Sequence, residues 1–249
     1  MADDPFAKFQ IDHLSPSSLN CYLDEPAMWV LRYLYKFKDR AGPFAWRGNA
    51  VEAGLAVWLQ NVPAKRNLDA SIAAALARFE QEAQGEISDK IEKELKGIPR
   101  MVQQAINALH DRPIPDAVQA PIKIWFDDIE VPVKGFIDFV WPEECLDLKS
   151  TFSMPSEPKE AHCRQVAVYT KAKERPCRLL YVTPTKHDFK PCVDIDKHLN
   201  YAHRQARSIR NLLWVCNSKE QIAEFFLPDF DNYVWDRDET KEAANLIWR

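Results

Sequence analysis

Lys134-Gly135-Phe136-Ile137-Asp138-Phe139-Val140-Trp141-Pro142-Glu143-Glu144-Cys145-Leu146-Asp147-Leu148-Lys149-Ser150-Thr151 reads as a β-hairpin, two apolar and β-branched runs joined by a short Trp-Pro-Glu-Glu connection. Centring the turn on that connection sets Asp138 directly opposite Asp147. Side chains alternate between the faces of a strand, so Asp138, Asp147 and Lys149 share one face and Ile137, Phe139, Leu146 and Leu148 the other. Directly opposed residues have Cβ atoms about 4.5–5.5 Å apart, and like charges there repel. Two carboxylates so placed call for a neutralising partner. Mg²⁺ is one, held by one or two carboxylates together with waters and substrate phosphates. For an isolated acid pair a solvated polar face is the plainer explanation; the strongly apolar strands around this one favour a site.

Outward from the hairpin, composition sets broad limits. The 249 residues are 46% hydrophobic and 28% charged, as in a globular protein with a substantial core, and their length forces no split into domains. The formal net charge of −4 supplies no global basic field, so contact with a polyanion must come from a local basic patch or bound metal. The six cysteines, at 21, 145, 163, 177, 192 and 216, include no Cys-x-x-Cys pair and carry no zinc or iron–sulfur signature. An acidic start without an apolar leader segment suggests reduced thiols and a cytoplasmic setting. No apolar run approaches a membrane span.

Upstream, residues 1–12 read as a loose lead-in. A helix then starts with Ser15 as N-cap and Pro16 at its first position, and Glu25-Pro26 restarts it. Phe44 to Leu59 forms the next helix, on which Glu52 shares a face with Leu55, Ala56 and Leu59. A carboxylate on an apolar face is costly unless partnered, by packing near a helix end or by a metal. Leu68, Ile72, Leu76 and Phe79, then Ile87, Ile91 and Leu95, give two amphipathic stripes, and Gly97-Ile98-Pro99 should break or kink the second before Met101–Leu109. The Glu/Lys-rich surface of 86–96 reads as a solvated helix face, and His13 and His110 as loop or surface histidines.

Beyond a proline-rich linker, strands are expected at 122–126 and 129–133, with Asp127-Asp128 as their turn. After the central hairpin come a helix over 155–173 carrying His162, Gln165, Val166 and Tyr169 on one side, strands at 179–182 and 191–195, and a long helix over 196–216. Arg204, Arg207 and Arg210 make a basic stripe on that helix, which is either a solvated face or a phosphate contact. Ser218-Lys219-Glu220-Gln221 caps a last short helix, and an acidic, aromatic tail follows from Pro228.

Five of these stretches, in this order, resemble the PD-(D/E)xK nuclease superfamily and, within it, the RecB-like exonuclease branch. Ser15-Pro16-Ser17-Ser18-Leu19-x-x-Tyr22 with Pro26 is similar to the branch's N-terminal helix motif, and Arg47-Gly48-Asn49-Ala50-Val51-Glu52 to its Arg-Gly-x-x-x-His element. Gly135-Phe136-Ile137-Asp138 and Asp147-Leu148-Lys149-Ser150-Thr151 resemble its two core motifs, and Gln165-Val166-Ala167-Val168-Tyr169 its Gln-x-x-x-Tyr helix. The likeness runs from about residue 15 to 184. Two departures stand out: Glu52 occupies the usual histidine position, and Glu25 precedes Pro26 where cluster-bearing relatives carry the first cysteine. The resemblance is therefore to a compact stand-alone nuclease of the phage type, without an iron–sulfur cluster.

It implies an α/β fold: a mixed sheet flanked by helices, with a restriction-endonuclease-like core and a helical N-terminal insertion. A single nuclease domain would span 1–227, its helical part about 14–110 and its catalytic core about 117–216, with 228–249 as the tail. Asp138, Asp147 and Glu52 are the expected ligands of Mg²⁺ or Mn²⁺, with the backbone carbonyl of Leu148 as a further oxygen. Lys149 would orient water or stabilise charge at phosphorus; simple charge compensation of the aspartates is its other reading. Gln165 and Tyr169, one helical turn apart, would position the nucleophile, Lys149 or the DNA backbone, unless they are only packed. Arg47 is the better phosphate candidate; Ser150 and Thr151 are phosphate contacts or plain strand residues. The implied activity is metal-dependent DNA exonuclease in replication, recombination or repair. A structure-specific endonuclease and a non-cleaving DNA-binding or assembly module are the alternatives. DNA ends are the expected partner, with a recombination or replication protein and a second copy of the chain as further candidates and no membrane.

Overall fold

A computed structural model describes residues 4–249. Its elements run α1 (Pro5–Lys8), α2 (Pro16–Asp24), α3 (Pro26–Trp29), α4 (Pro43–Gln60), α5 (Leu68–Ala83), α6 (Asp89–Leu109), β1 (Ala117–Ile124), β2 (Val133–Val140), β3 (Cys145–Ser150), α7 (Glu160–Lys173), β4 (Cys177–Val182), β5 (His187–Lys190), α8 (Ile195–Val215), α9 (Lys219–Ala223) and α10 (Asp238–Trp248). The five strands form one mixed sheet in the order β1-β2-β3-β4-β5. β2 and β3 pair antiparallel, β3 and β4 parallel across α7, and β4 and β5 antiparallel. The α/β class expected from the sequence is the class observed.

The chain divides into two compact units, each built from separate segments. One comprises Met1–Arg40, Pro121–Gly135 and Asp194–Arg249; the other comprises Ala41–Ala120 and Phe136–Val193. In the second unit, Phe139, Trp141, Leu146, Leu148, Leu180 and Val182 from the sheet pack with Leu55, Leu59, Phe79, Met101 and Val102 from α4, α5 and α6. Full burial of one such side chain is worth about 1.5–3 kcal/mol. A Cβ on Gly54 would stand 2.8 Å from the Ser71 carbonyl oxygen and 3.0 Å from the Ala75 methyl, so only glycine allows α4 and α5 to approach this closely.

In the first unit Ser15 caps α2, its Oγ accepting from Ser18 N at 3.0 Å. Pro26 restarts the helix as expected, but the turn loosens into a π-helix over Val30–Leu34. Glu25 is 8% exposed and accepts from Asn232 Nδ2 at 3.4 Å, which ties the C-terminal segment to this corner. That segment is ordered: Trp235 is fully buried with Ala27, Met28 and Leu31, and α10 follows it.

Several expectations need correction. The lead-in is not loose throughout, because Asp4 caps α1 and Phe6 is fully buried; residues 1–3 of that stretch lie outside the described residues. Pro99 does not break its helix, and α6 runs through it. An interior proline costs about 3 kcal/mol or more, and burial of Ile98, Met101 and Val102 around it offsets that. Glu94 is not on a solvated face; it is 1% exposed. The two strands expected at 122–126 and 129–133 are replaced by β1 and β2, with 125–132 as their connection. Pro121 is tolerated inside β1 because β1 is an edge strand. No strand forms at 191–195, where Pro191 lacks an N–H and Asp194 takes a left-handed φ of 54°; β5 lies just before it. Pro155 and Pro158 delay the start of α7 to Glu160. All six cysteines are free thiols. No helix among the described residues is long and apolar enough to cross a membrane.

Candidate active site

The β2–β3 register pairs Phe139 with Leu146 and Val140 with Cys145, which brings Asp138 next in line to Asp147. Leu148 N donates to Asp138 Oδ2 at 2.7 Å. Asp147 is 1% exposed, and Lys149 Nζ lies 2.7 Å from its Oδ2. The same ammonium donates to Gln165 Oε1 at 3.1 Å, and Gln165 Nε2 donates to the Tyr169 hydroxyl at 2.6 Å. The i,i+4 spacing on α7 thus continues a relay that starts at the hairpin. Beside it, Lys149 is the β-ladder partner of Tyr181, whose hydroxyl lies 2.6 Å from His162 Nδ1.

Glu52 reaches these residues from α4 through a side chain that the sequence pattern did not mark. Gln119 on β1 donates its amide to Glu52 Oε1 in a short hydrogen bond and to Asp138 Oδ1 at 3.3 Å. It does so from a left-handed backbone, φ 51°, inside a strand. That conformation costs a non-glycine residue about 1–2 kcal/mol and here aims the amide between two carboxylates. A single glutamine in an otherwise alternating strand gives no signal of this in sequence.

The charges are mutually constrained. Burial pushes Asp138 well above the usual carboxylate range, and the carboxylates of Asp147 and Glu52 push it further, against Lys149 and the Leu148 amide. Burial likewise raises Asp147, with Lys149 opposing, and raises Glu52, with the Gln119 hydrogen bond opposing. For Lys149 burial acts downward, but Asp147 and Asp138 outweigh it and hold the ammonium charged. Burial, then the charge of Asp147, raises Tyr169 and keeps its phenol neutral.

Three acids that each favour a proton form a site for positive charge. Among the described residues no three His, Cys, Asp or Glu side chains converge into a closed ligand set. The donor chemistry nevertheless fits a divalent cation. All three donors are hard oxygens, and the buried Asp147 Oδ2 faces the Lys149 ammonium at 2.7 Å.

Glu52, Asp138, Asp147, Lys149, Gln165 and Tyr169 are therefore brought together. Arg47, Ser150 and Thr151 are engaged elsewhere. Arg47 is 6% exposed and ion-paired with Glu94; it donates to the Ser150 carbonyl at 3.0 Å and to Ser150 Oγ at 3.2 Å. Its guanidinium also lies over the rings of Phe44 and Phe152. Thr151 donates to the Ser153 carbonyl at 3.2 Å. At Leu148 the contact made is through the amide, not the carbonyl.

The profile of the PD-(D/E)XK nuclease superfamily matches residues 13–227. The chain belongs to the PD-(D/E)XK nuclease superfamily. The fold agrees with a solved structure from Eubacterium rectale, a candidate exonuclease, at a TM-score of 0.53 and 11% identity over 96% of this chain and 92% of the other. A second solved structure, SSO0001, is 15% identical over 70% of this chain and 96% of its own, at a TM-score of 0.33. Among curated proteins none matches.

Proposed function

We propose that this superfamily member is a Mg²⁺- or Mn²⁺-dependent DNA exonuclease of RecB-like type, acting in replication, recombination or repair as phage stand-alone nucleases do. The observation that carries the proposal is the continuous arrangement of Asp147, Lys149, Gln165 and Tyr169 beside Asp138. A fold kept only for binding or assembly has no need of opposed buried acids, a charged lysine and a relay that fixes its position. The exonuclease name of the structural neighbour supports the choice of end-directed cleavage.

Asp138, Asp147 and Glu52 would hold the metal. A divalent cation supplies a Lewis acid that activates water and neutralises charge on a phosphate. The chain's own groups do the rest. Lys149, held charged by the two aspartates, offers its remaining N–H to the attacking water or to a non-bridging phosphate oxygen. Gln165 accepts from Lys149 and fixes where that ammonium points; Tyr169 fixes Gln165. Attack by water forms a new P–O bond and releases one of its protons to solvent as the bond to the leaving sugar oxygen breaks, and that oxygen takes up a proton from solvent.

The test is degradation of end-labelled linear DNA beside covalently closed circles, with Mg²⁺, with Mn²⁺ and with EDTA, for the wild type and Asp147→Ala. Metal-dependent loss of linear DNA alone, abolished by Asp147→Ala, is the expected result. Cutting of the closed circle would make the protein an endonuclease, and binding without cleavage under every condition would overturn the enzymatic reading.

A further inference from the structure

Of the three arginines in the stripe on α8, two are neutralised within their own unit. Arg207 Nε lies 2.9 Å from Asp128 Oδ2, and Arg210 Nη2 lies 2.7 Å from Glu130 Oε1. Arg204 has no carboxylate partner among the described residues. It lines an open pocket of about 410 Å³ together with Tyr22, Pro26, Tyr201, Gln205 and Phe226. That volume falls in the lower part of the range for small-ligand sites, about 300–1,000 Å³.

Gln205 is the unusual member of this lining. It is 5% exposed, and neither its Oε1 nor its Nε2 has a hydrogen-bond partner. A buried amide left without partners is destabilising, and most buried polar side chains avoid it. Here a donor and an acceptor lie side by side just behind the pocket lining, both unmet and shielded from solvent. An apolar ligand would leave them so. A simple anion could satisfy only the donor.

A nucleobase edge presents an adjacent donor and acceptor, which a carboxamide meets with two hydrogen bonds, most readily on adenine. The remaining lining suits the rest of a nucleotide. Tyr201 is 43% exposed, and Tyr22 stands edge-on to Phe226 with ring centroids 6.2 Å apart, so the pocket offers aromatic faces for stacking. Tyr22 is held in place by its hydroxyl, 3.2 Å from Ser208 Oγ. Arg204 adds an exposed cation for a phosphate.

We propose that this pocket takes one unpaired nucleobase of single-stranded DNA, with Gln205 on the base edge, the tyrosine rings on its face and Arg204 on an adjoining phosphate. Both amide atoms are shielded as the side chain stands, so Gln205 meets the base through a change of side-chain rotamer into the pocket. The proposal rests on DNA as the substrate and adds that an unpaired strand, rather than a fully paired end, is what this unit holds.

The experiment is fluorescence anisotropy in EDTA, where a metal-dependent nuclease does not cleave. The probes are a labelled single-stranded oligonucleotide, the same strand with abasic sites, and its duplex. Gln205→Leu keeps the approximate shape and removes the unmet amide, so its melting temperature should equal or exceed that of the wild type. Its affinity for the base-containing strand should fall about tenfold, with little change for the abasic strand. Arg204→Ala, an exposed change, should reduce the dependence of log affinity on log salt by about 0.7, the contribution of one phosphate contact on a single strand. Equal binding of abasic and intact strands, or unchanged binding by Gln205→Leu, would overturn the proposal. Base-dependent binding without metal-dependent cleavage would remove the nuclease reading and leave the pocket; cleavage with Gln205 indifferent would do the reverse.

Discussion

Lys149 Nζ stands 2.7 Å from Asp147 Oδ2 and donates to Gln165 Oε1 at 3.1 Å. The ammonium therefore compensates the buried acid and is still aimed by α7. Lys149→Met should lower kcat by about 10²–10³, the usual loss when one fixed electrostatic donor is removed. Lys149→Arg should not restore it, because a planar fork cannot replace a compact point charge at this spacing. Gln165→Ala should cost less, since it only loosens the lysine. Single-turnover cleavage at saturating DNA checks the order of the three.

Gln119 holds Glu52 and Asp138 together without a metal. Gln119→Gly should relieve the strained backbone, worth about 1 kcal/mol, yet leave the two carboxylates to repel each other. The expected outcome is a larger rise in melting temperature on adding Mg²⁺ than the wild type shows. Thermal melts across a Mg²⁺ series measure it, and equal increments would refute it.

The Arg47–Glu94 pair is buried, with side-chain exposures of 8% and 2%. Arg47→Ala strands a buried carboxylate and should destabilise by about 3–5 kcal/mol. The double change Arg47→Met with Glu94→Leu should regain most of that loss, since no charge is left unpaired. Urea denaturation of the two variants decides it.

His162 is pulled down to about 3 by burial, aided by the charges of Lys149 and Lys159. Free imidazole titrates near 6.5, so between those values the unfolded chain binds a proton that the folded chain refuses. Stability supplied by neutral His162 is present at pH 7 and falls as pH drops through that window. The ring is half-buried, so the loss should be on the order of 1–2 kcal/mol. The raised carboxylates act in the opposite sense: the fold holds their protons more tightly, and their contribution is lost as pH rises through their folded values. His162→Gln should flatten the acid side of the melting profile between pH 6.5 and 5 without altering the alkaline side.

The hairpin could be read from the chain because its information is local. Strand alternation and a four-residue turn place Asp138 near Asp147, and i,i+4 spacing places Gln165 near Tyr169. The strand expected at 129–133 failed for a different reason: its apolar run marks burial, and burial does not by itself choose an extended backbone. At 191–195 even the burial is missing, with Val193 67% exposed. Glu94 was misread because its glutamate–lysine neighbours hid its position three residues after Ile91 and four before Ile98, on the buried stripe of α6.

The sequence by itself determined the opposed acids with their lysine and the helix that answers them, because each depends on periods of two or four residues; the α/β class followed from the likeness of its motifs to a known superfamily. Tertiary structure decided the rest. It carried α6 through Pro99, buried Arg47 against Glu94, and put Gln119 from β1 between Glu52 of α4 and Asp138 of β2. The last two outcomes join residues 19 to 67 positions apart, and packing overrides local preference only once the chain has closed over such distances.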